Sequence, residues 1–167
     1  MGVKRRQADL AACASTLVKA IEQGVLITTR SGDKVNAMVA GWGTIGFSWN
    51  RPVFVAYVRE DRYTRALLDE NPEFTVNIPL GKVDRNVMRI CGMQSGRDMD
   101  KLAAAGLTAV APKEISVPGI LEFPLTLECR VVYRDKPVDG GLPGGKRMDE
   151  HVCYYGEIVA TYLIEEA

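Results

Sequence analysis

Three glycines between residues 41 and 46 have the spacing that binds pyrophosphate in many dinucleotide-binding proteins. Gly41, Gly43 and Gly46 form the motif G-x-G-x-x-G. This motif indicates a dinucleotide-binding turn only when a strand precedes it and a helix begins at its last glycine. Pro52 follows closely, and the residue before a proline avoids the helical conformation. The apolar, β-branched run 53–58 predicts a strand instead. The glycines therefore predict a loop between two strands, and a Rossmann unit is excluded.

A second group of residues, directly after that strand, has the chemistry of an anion site. Arg62, Tyr63 and Thr64 begin a predicted helix, and Arg59 lies just before them. A helix N-terminus carries unpaired N–H groups and about half a positive charge, and Arg and Thr side chains add donors. The alternative is an ordinary solvated helix start. A phosphate site after a glycine-rich loop suits a ligand with a flat ring at one end and a phosphate at the other, such as flavin mononucleotide (FMN).

The loop itself is the candidate site for the flat ring. A flavin ring needs donors and acceptors along its pyrimidine edge, and glycines let main-chain groups come close enough to supply them. Trp42 is placed to pack against the dimethylbenzene end or the ribityl chain. The alternative is a glycine-rich barrel corner with Trp42 in the core. The candidate ring-binding residues are Asn36, Ala37, Met38, Gly41, Trp42, Gly43 and Thr44.

A second cationic turn lies further along the chain. Ser95, Gly96 and Arg97 precede a predicted helix that contains Lys101. Of these, Ser95, Gly96 and Lys101 are candidate contacts for a phosphate or a ribityl chain, within one subunit or across a dimer. A helix cap with surface charges is an equally good interpretation of the same residues.

The elements that must position these residues follow from the hydrophobic pattern. Residues 125–133 alternate apolar and polar side chains, which is typical of a half-buried strand. Asn77 interrupts another apolar strand and reads as an outward polar position. Six strands with inserted helices predict a closed or split antiparallel barrel and not a βαβ sheet. The predicted strands are 25–29, 34–39, 53–58, 74–78, 125–133 and 152–164, and the predicted helices are 8–22, 62–69 (with Asp61 as N-cap), 83–91 and 98–105.

Composition limits the class of protein. The 167 residues predict one domain, 1–167. Net charge is zero, which gives no electrostatic support for nucleic acid or anionic membranes as partners. Four cysteines without a C-x-x-C pair predict free thiols in a reducing cytoplasm. A single histidine, His151, excludes a histidine-rich metal site, and no metal is expected.

Taken in chain order, these motifs resemble the flavin reductase-like FMN-binding split-barrel family, and within it the flavoredoxin branch. The segments that carry the resemblance are 36–46, 59–64, 74–77, 95–102 and 151–158. The resemblance implies a six-stranded antiparallel split β-barrel with inserted helices, non-covalently held FMN and a homodimer whose interface helps build the flavin site. Val39 stands where family members often carry Thr or Ser, so a hydroxyl contact is lost there.

The resemblance also implies a function. We expect an NAD(P)H-dependent flavin reductase or oxidoreductase, with hydride transfer to flavin N5 and a small-molecule or protein redox partner. His151 would lie beside the flavin as the catalytic residue, although a lone histidine is more often structural. The loop 136–150 is a predicted lid, with Lys146 and Arg147 available to the phosphates of NADH or NADPH. The alternatives are an electron-transfer protein without a nicotinamide site and a non-enzymatic FMN-binding protein, and FAD stays open as the flavin.

Overall fold

The computed structural model describes residues 2–136 and 150–167. Its ten strands are β1 (Val3–Gln7), β2 (Val25–Ser31), β3 (Lys34–Ala40), β4 (Thr44–Ser48), β5 (Arg51–Arg59), β6 (Glu73–Ile78), β7 (Ala109–Val110), β8 (Gly119–Ile120), β9 (Leu125–Asp135) and β10 (His151–Glu166). Eight of them form one antiparallel sheet in the order β3-β2-β6-β9-β10-β5-β4, with β1 paired to β10. The strands β7 and β8 pair separately. The predicted mainly β split-barrel class is confirmed.

Four helices decorate the sheet: α1 (Leu10–Gln23), α2 (Tyr63–Glu70), α3 (Arg85–Met93) and α4 (Lys101–Ala105). Asp9, Asp84 and Asp100 cap α1, α3 and α4 by accepting main-chain N–H bonds. With Asp100 as its N-cap, α4 begins at Lys101, three residues later than the predicted start at residue 98. The predicted cap at Asp61 is wrong, because Arg62 occupies the N-cap position of α2 without a side-chain cap bond.

The sheet has two more strands than the six expected, β1 and β4. In β4, Thr44 and Gly46 obscure the alternation of apolar and polar side chains that would have predicted a strand. The strand extends to Ser48. Trp49 and Asn50 then form a two-residue turn with φ of 53° and 58°, the conformation of a type I′ hairpin. The exclusion of a Rossmann unit is confirmed, because a strand and not a helix follows the glycines.

The connection between β3 and β4 shapes the site. These two strands are the end strands of the sheet's pairing order, and residues 41–43 carry the chain from one to the other. The helix α1 buries Leu17, Ala20 and Ile21 against the core and leaves Val18 59% exposed. In the β3–β4 connection Gly41 and Trp42 are exposed, so the backbone there lies open to a ligand.

Asn77 holds a neighbouring segment in place from inside the core. It is fully buried, which corrects the expected outward position. Its amide donates to Thr28 and Thr75 at 3.0 and 2.9 Å and accepts the main-chain N–H of Ile120 at 3.1 Å. Buried polar groups of this kind are costly unless paired, so Asn77 fixes β8 on the sheet.

Candidate functional site

A cleft of about 200 Å³ lies between β3, the start of α2 and the segment that joins α3 to α4. It brings together eight of the predicted cofactor residues: Asn36, Met38, Arg62, Tyr63, Thr64, Ser95, Gly96 and Lys101. We call it the inner cleft. Three separate sequence motifs therefore converge on one concave surface, as the anion-site interpretation requires.

Lys101 supplies a buried positive charge to the inner cleft. The residue is 4% exposed, and its Nζ donates to the carbonyl oxygen of Cys91 at 2.9 Å. Within residues 2–136 and 150–167 no carboxylate pairs with its ammonium. Burial lowers the pKa of Lys101, and Arg62 acts in the same direction. A buried cation without a counter-charge is unfavourable, so an anion in this cleft would be bound strongly.

Asn36 adds an unpaired acceptor to the same cleft. The residue is 2% exposed, and its Nδ2 donates to Thr64 Oγ1 at 3.1 Å. Its Oδ1 is buried and has no hydrogen-bond partner among the residues that the structure describes. Such atoms in native proteins are rare and call for a partner. Gly96 packs against this oxygen, since a Cβ on Gly96 would lie 2.2 Å from it.

Arg62 and the first turn of α2 complete the anion-binding surface. Arg62 is an N-cap residue with a side chain 44% exposed, and its Nε lies 3.8 Å from Asp61 Oδ1. Thr64, in the first turn, is buried. The inner cleft thus combines a helix N-terminus, a buried ammonium and a half-exposed guanidinium.

A second cleft, of about 180 Å³, continues from the first, with which it shares Met38, Val39 and Arg62. We call it the outer-ring cleft. Its further lining residues are Ala40, Gly41, Trp42, Tyr57, Arg59 and His151. A Cβ built on Gly41 would touch nothing within 4 Å and its φ is not positive, so neither packing nor backbone strain requires this glycine. Access for a ligand is a sufficient reason for it.

His151 and Trp42 form an aromatic wall of the outer-ring cleft. Their ring centroids are 5.0 Å apart at an interplanar angle of 40°. His151 is 7% exposed, and its Nδ1 is buried without a partner in the described part of the chain. Trp42 is 48% exposed, so the alternative interpretation, with this indole in the core, is wrong.

Arg59 lies at the aromatic end of the site and not at the anion end. It pairs with His151 across β5 and β10. Its guanidinium forms ion pairs with Glu150 at 3.0 Å and Asp61 at 3.4 Å. Because two carboxylates already neutralise it, Arg59 offers less to a phosphate than Arg62 or Lys101.

Three predicted residues line neither cleft, and their part in a cofactor site stays a prediction. Ala37 is fully buried in a cluster with Leu26. A Cβ on Gly43 would lie 2.5 Å from Phe54, which fits a tightly packed barrel corner. The Thr44 hydroxyl is bonded to the Tyr57 hydroxyl at 2.9 Å.

Tyr57 and Cys91 are among the lining residues that the sequence reasoning missed. Tyr57 stands two residues before Arg59 on β5 and therefore on the same face, a signal that could have identified it. Cys91 contributes its main-chain carbonyl, which no residue type announces. The predicted lid residues Lys146 and Arg147 lie outside the described residues.

Neither a metal-binding cluster nor a membrane-spanning helix is found among the described residues. In residues 2–136 and 150–167, no group of three or more His, Cys, Asp or Glu side chains could hold a metal ion. Across the same residues, none of the helices has the length and apolar character needed to cross a membrane. The arrangement therefore offers ligand binding at a cationic cleft joined to an aromatic one.

An antiparallel split barrel with a continuous cleft at its β3–β4 connection defines the class of protein. The chain belongs to the flavin reductase like domain family, whose family model matches residues 19–167. It is 32% identical over 127 residues to an uncharacterised protein of Archaeoglobus fulgidus, covering 76% of this chain and 64% of that protein. The chain thus spans just under two thirds of that relative.

Two solved structures are similar to this one. The flavoredoxin from Methanosarcina acetivorans is 29% identical with a TM-score of 0.69, over 86% of this chain and 68% of that chain. The flavoredoxin of Desulfovibrio vulgaris (Miyazaki F) is 27% identical with a TM-score of 0.66, over 84% and 68% of the two chains. The expected flavin reductase-like family is confirmed, and two flavoredoxins are among the structures to which the chain is similar.

Proposed function

We propose that this chain is an FMN-binding flavoprotein that works as an NAD(P)H-dependent flavin reductase or oxidoreductase. The observation that carries the proposal is the buried ammonium of Lys101, which faces a cleft without a carboxylate partner in the described part of the chain. Family membership over residues 19–167 supports a flavin as the ligand. The inner cleft would hold the phosphate, and the outer-ring cleft would hold the isoalloxazine.

The donors and acceptors of the two clefts fit FMN. Lys101, Arg62 and the first N–H groups of α2 would bind the phosphate oxygens. Asn36, whose Nδ2 donates to Thr64 Oγ1, would line the path of the ribityl chain. Main-chain groups from Met38 to Gly41 would meet the polar edge of the ring, where a Cβ on Gly41 meets no protein atom.

The chain's own residues bind and orient in this proposal, while bound FMN supplies hydride acceptance at its ring. No paired carboxylates or activated nucleophile are required. Trp42 and His151 would cover the ring end and exclude water from it. His151 is the proposed catalytic residue, because its imidazole lines the outer-ring cleft beside Trp42, where the flavin ring would lie. Arg59, held by Glu150, would fix the position of the histidine across the strand pair.

A second candidate is electron transfer between partners without a nicotinamide site. The similarity to two flavoredoxins, at 27% and 29% identity, favours it. In that case the bound flavin would exchange electrons with a small-molecule or protein partner. A non-enzymatic FMN-binding protein would use the same two clefts and carry out neither reaction.

Anaerobic stopped-flow spectroscopy of the FMN-loaded protein separates these candidates. Bleaching of the bound flavin by NADH or NADPH, faster than that of free FMN, is the result expected of a reductase. Bleaching by dithionite alone, with rapid reoxidation by an added electron acceptor, would favour electron transfer. A protein that takes up no FMN would contradict all three functions.

We also propose a homodimer with the flavin near the interface. An exposed aromatic cluster supports this. The ring centroid of Trp49 lies 5.7 Å from that of Tyr133 and 5.8 Å from that of Tyr155. Phe47, two residues before Trp49 in the sequence, is 71% exposed. Contiguous exposed apolar surface marks contact sites, and two-fold pairing is the commonest. Sedimentation velocity should show a dimer that releases FMN on dilution, whereas a monomer that retains FMN would contradict the proposal.

The proposed location is the cytoplasm. Cys13, Cys91, Cys129 and Cys153 are all free thiols. Free, mostly buried thiols are typical of reducing compartments. Labelling of the fractionated source cell with an antibody would test the location.

A further inference from the structure

A third cavity lies beyond the anion end of the site. It has a volume of about 500 Å³ and shares Tyr63, Gly96 and Arg97 with the inner cleft. These three residues border both spaces, and we call them the wall between the inner cleft and this distal cavity. The position matters because a ligand that continues past its first phosphate would have to pass this wall.

Arg97 holds the wall together across two elements. Its Nη1 donates to the carbonyl oxygen of Asp61 at 3.1 Å, and its guanidinium carbon lies 5.4 Å from the ring centroid of Tyr63. Its main-chain N–H is accepted by Ser95 Oγ at 3.2 Å. The arginine thus fastens the segment before α4 to the start of α2.

Gly96 lets this segment approach closely. A Cβ at this position would lie 2.2 Å from Asn36 Oδ1 and 2.8 Å from Tyr63 Cδ1. Because the φ of Gly96 is not in the left-handed region, the glycine serves space and not backbone conformation. The wall is therefore packed directly against the atoms that line the inner cleft.

The distal cavity is poorly suited to a second phosphate. Its charged lining residues are Asp33, Asp98 and Asp100 against Lys34 and Arg97. The guanidinium of Arg97 already faces Tyr63 and the Asp61 carbonyl. A diphosphate that entered this cavity would meet three carboxylates against one ammonium and one guanidinium, a net negative lining that opposes a further phosphate.

We propose that Arg97 is a specificity-determining residue that closes the phosphate end of the site, so that the protein prefers a phosphomonoester flavin, FMN, over the longer dinucleotide FAD. The inference rests on the proposed function. Arg97 acts through Tyr63 and the main chain of Asp61, so it is a positioning residue. Removal of its side chain would join the inner cleft to the distal cavity and admit the AMP half of FAD.

The test is a pair of equilibrium titrations, with FMN and with FAD, on the wild type and on Arg97→Ala. The quantity to compare is the Kd for FAD divided by the Kd for FMN. We expect this ratio to exceed one in the wild type and to fall about fivefold or more in the variant, in keeping with the loss of a cation–π contact and a charged hydrogen bond. A general loss of stability would weaken both flavins and leave the ratio unchanged.

Arg89→Ala is the matched control. Arg89 is an exposed arginine of α3 that donates to Asn86 Oδ1 at 2.8 Å and lines neither cavity. Its ratio should equal that of the wild type. The inference is overturned if Arg97→Ala keeps the ratio within twofold, if Arg89→Ala shifts it equally, or if the wild type prefers FAD. Failure of the wild type to bind either flavin would instead overturn the proposed function.

Discussion

Replacing Lys101 by Met should weaken FMN binding strongly and leave riboflavin binding almost unchanged. Methionine keeps the length and apolar stem of the lysine and removes its charge. Riboflavin carries the same ring and ribityl chain as FMN but no phosphate. The comparison of the two ligands therefore isolates the contact between Lys101 and the phosphate.

The size of the effect follows from the burial of Lys101. The side chain is 4% exposed, so solvent screens its interaction with a bound phosphate very little. A hydrogen bond to a charged group contributes about 1.5–3 kcal/mol, which corresponds to a roughly 10- to 150-fold rise in the Kd for FMN. The variant also loses the bond to the Cys91 carbonyl, and it loses the cost of a buried charge, so the unliganded protein should change little in stability.

Fluorescence titration of both flavins on the wild type, Lys101→Met and the exposed control Lys19→Met measures this directly. The control should match the wild type for both ligands. A change in the FMN Kd of less than threefold, or an equal loss for riboflavin, would refute a phosphate at Lys101. Thermal unfolding of the unliganded variants checks that each is folded.

The Kd for riboflavin divided by the Kd for FMN should also depend on pH, which provides an independent test of the Lys101 contact. Burial holds the pKa of Lys101 below its ordinary value of 10.5. Between the lowered pKa and 10.5 the unfolded chain binds more protons than the folded one, so the lysine's contribution to stability rises with pH. The phosphate binds the charged form, so the preference for FMN over riboflavin should fall as pH rises through that range. In Lys101→Met the ratio should show no such dependence.

Three further variants test other parts of the account. Arg62→Ala should raise the Kd for FMN about tenfold, the low end for a charged contact, because that side chain is 44% exposed; an unchanged Kd in a titration would move the phosphate elsewhere. His151→Gln should leave FMN binding within threefold but slow flavin reduction by NADH or NADPH about tenfold in stopped flow; equal rates would remove the histidine from catalysis. Asn77→Ala should lower the free energy of unfolding by about 1–3 kcal/mol in urea, because buried partners lose their bonds; a neutral effect would contradict its anchoring role.

The sequence predicted the fold class because its strands carry an alternating pattern. Residues 125–133 lie within β9, and 74–78 lie within β6. It missed β4, where glycine and threonine hide the alternation and a tryptophan occupies a left-handed turn position. It also misplaced Asn77, since a polar residue in a strand gives no sign of which polar partners the fold will bring to it.

The candidate site was predictable where a motif carries its own chemistry. The cationic helix start at Arg62 and the turn before Lys101 meet in the inner cleft, as the anion reading requires. The burial of Lys101 and its bond to the Cys91 carbonyl could not be predicted, because both depend on how α3 and α4 pack. The neutralisation of Arg59 by Glu150 was hidden for the same reason: the two residues are far apart in sequence.

A crystal structure of the protein with FMN tests the central claim most directly. The account predicts the phosphate within hydrogen-bond distance of Lys101 Nζ and the first turn of α2, and the isoalloxazine against Trp42 and His151. An FMN bound with its ring at Lys101, or bound outside the two clefts, would contradict it.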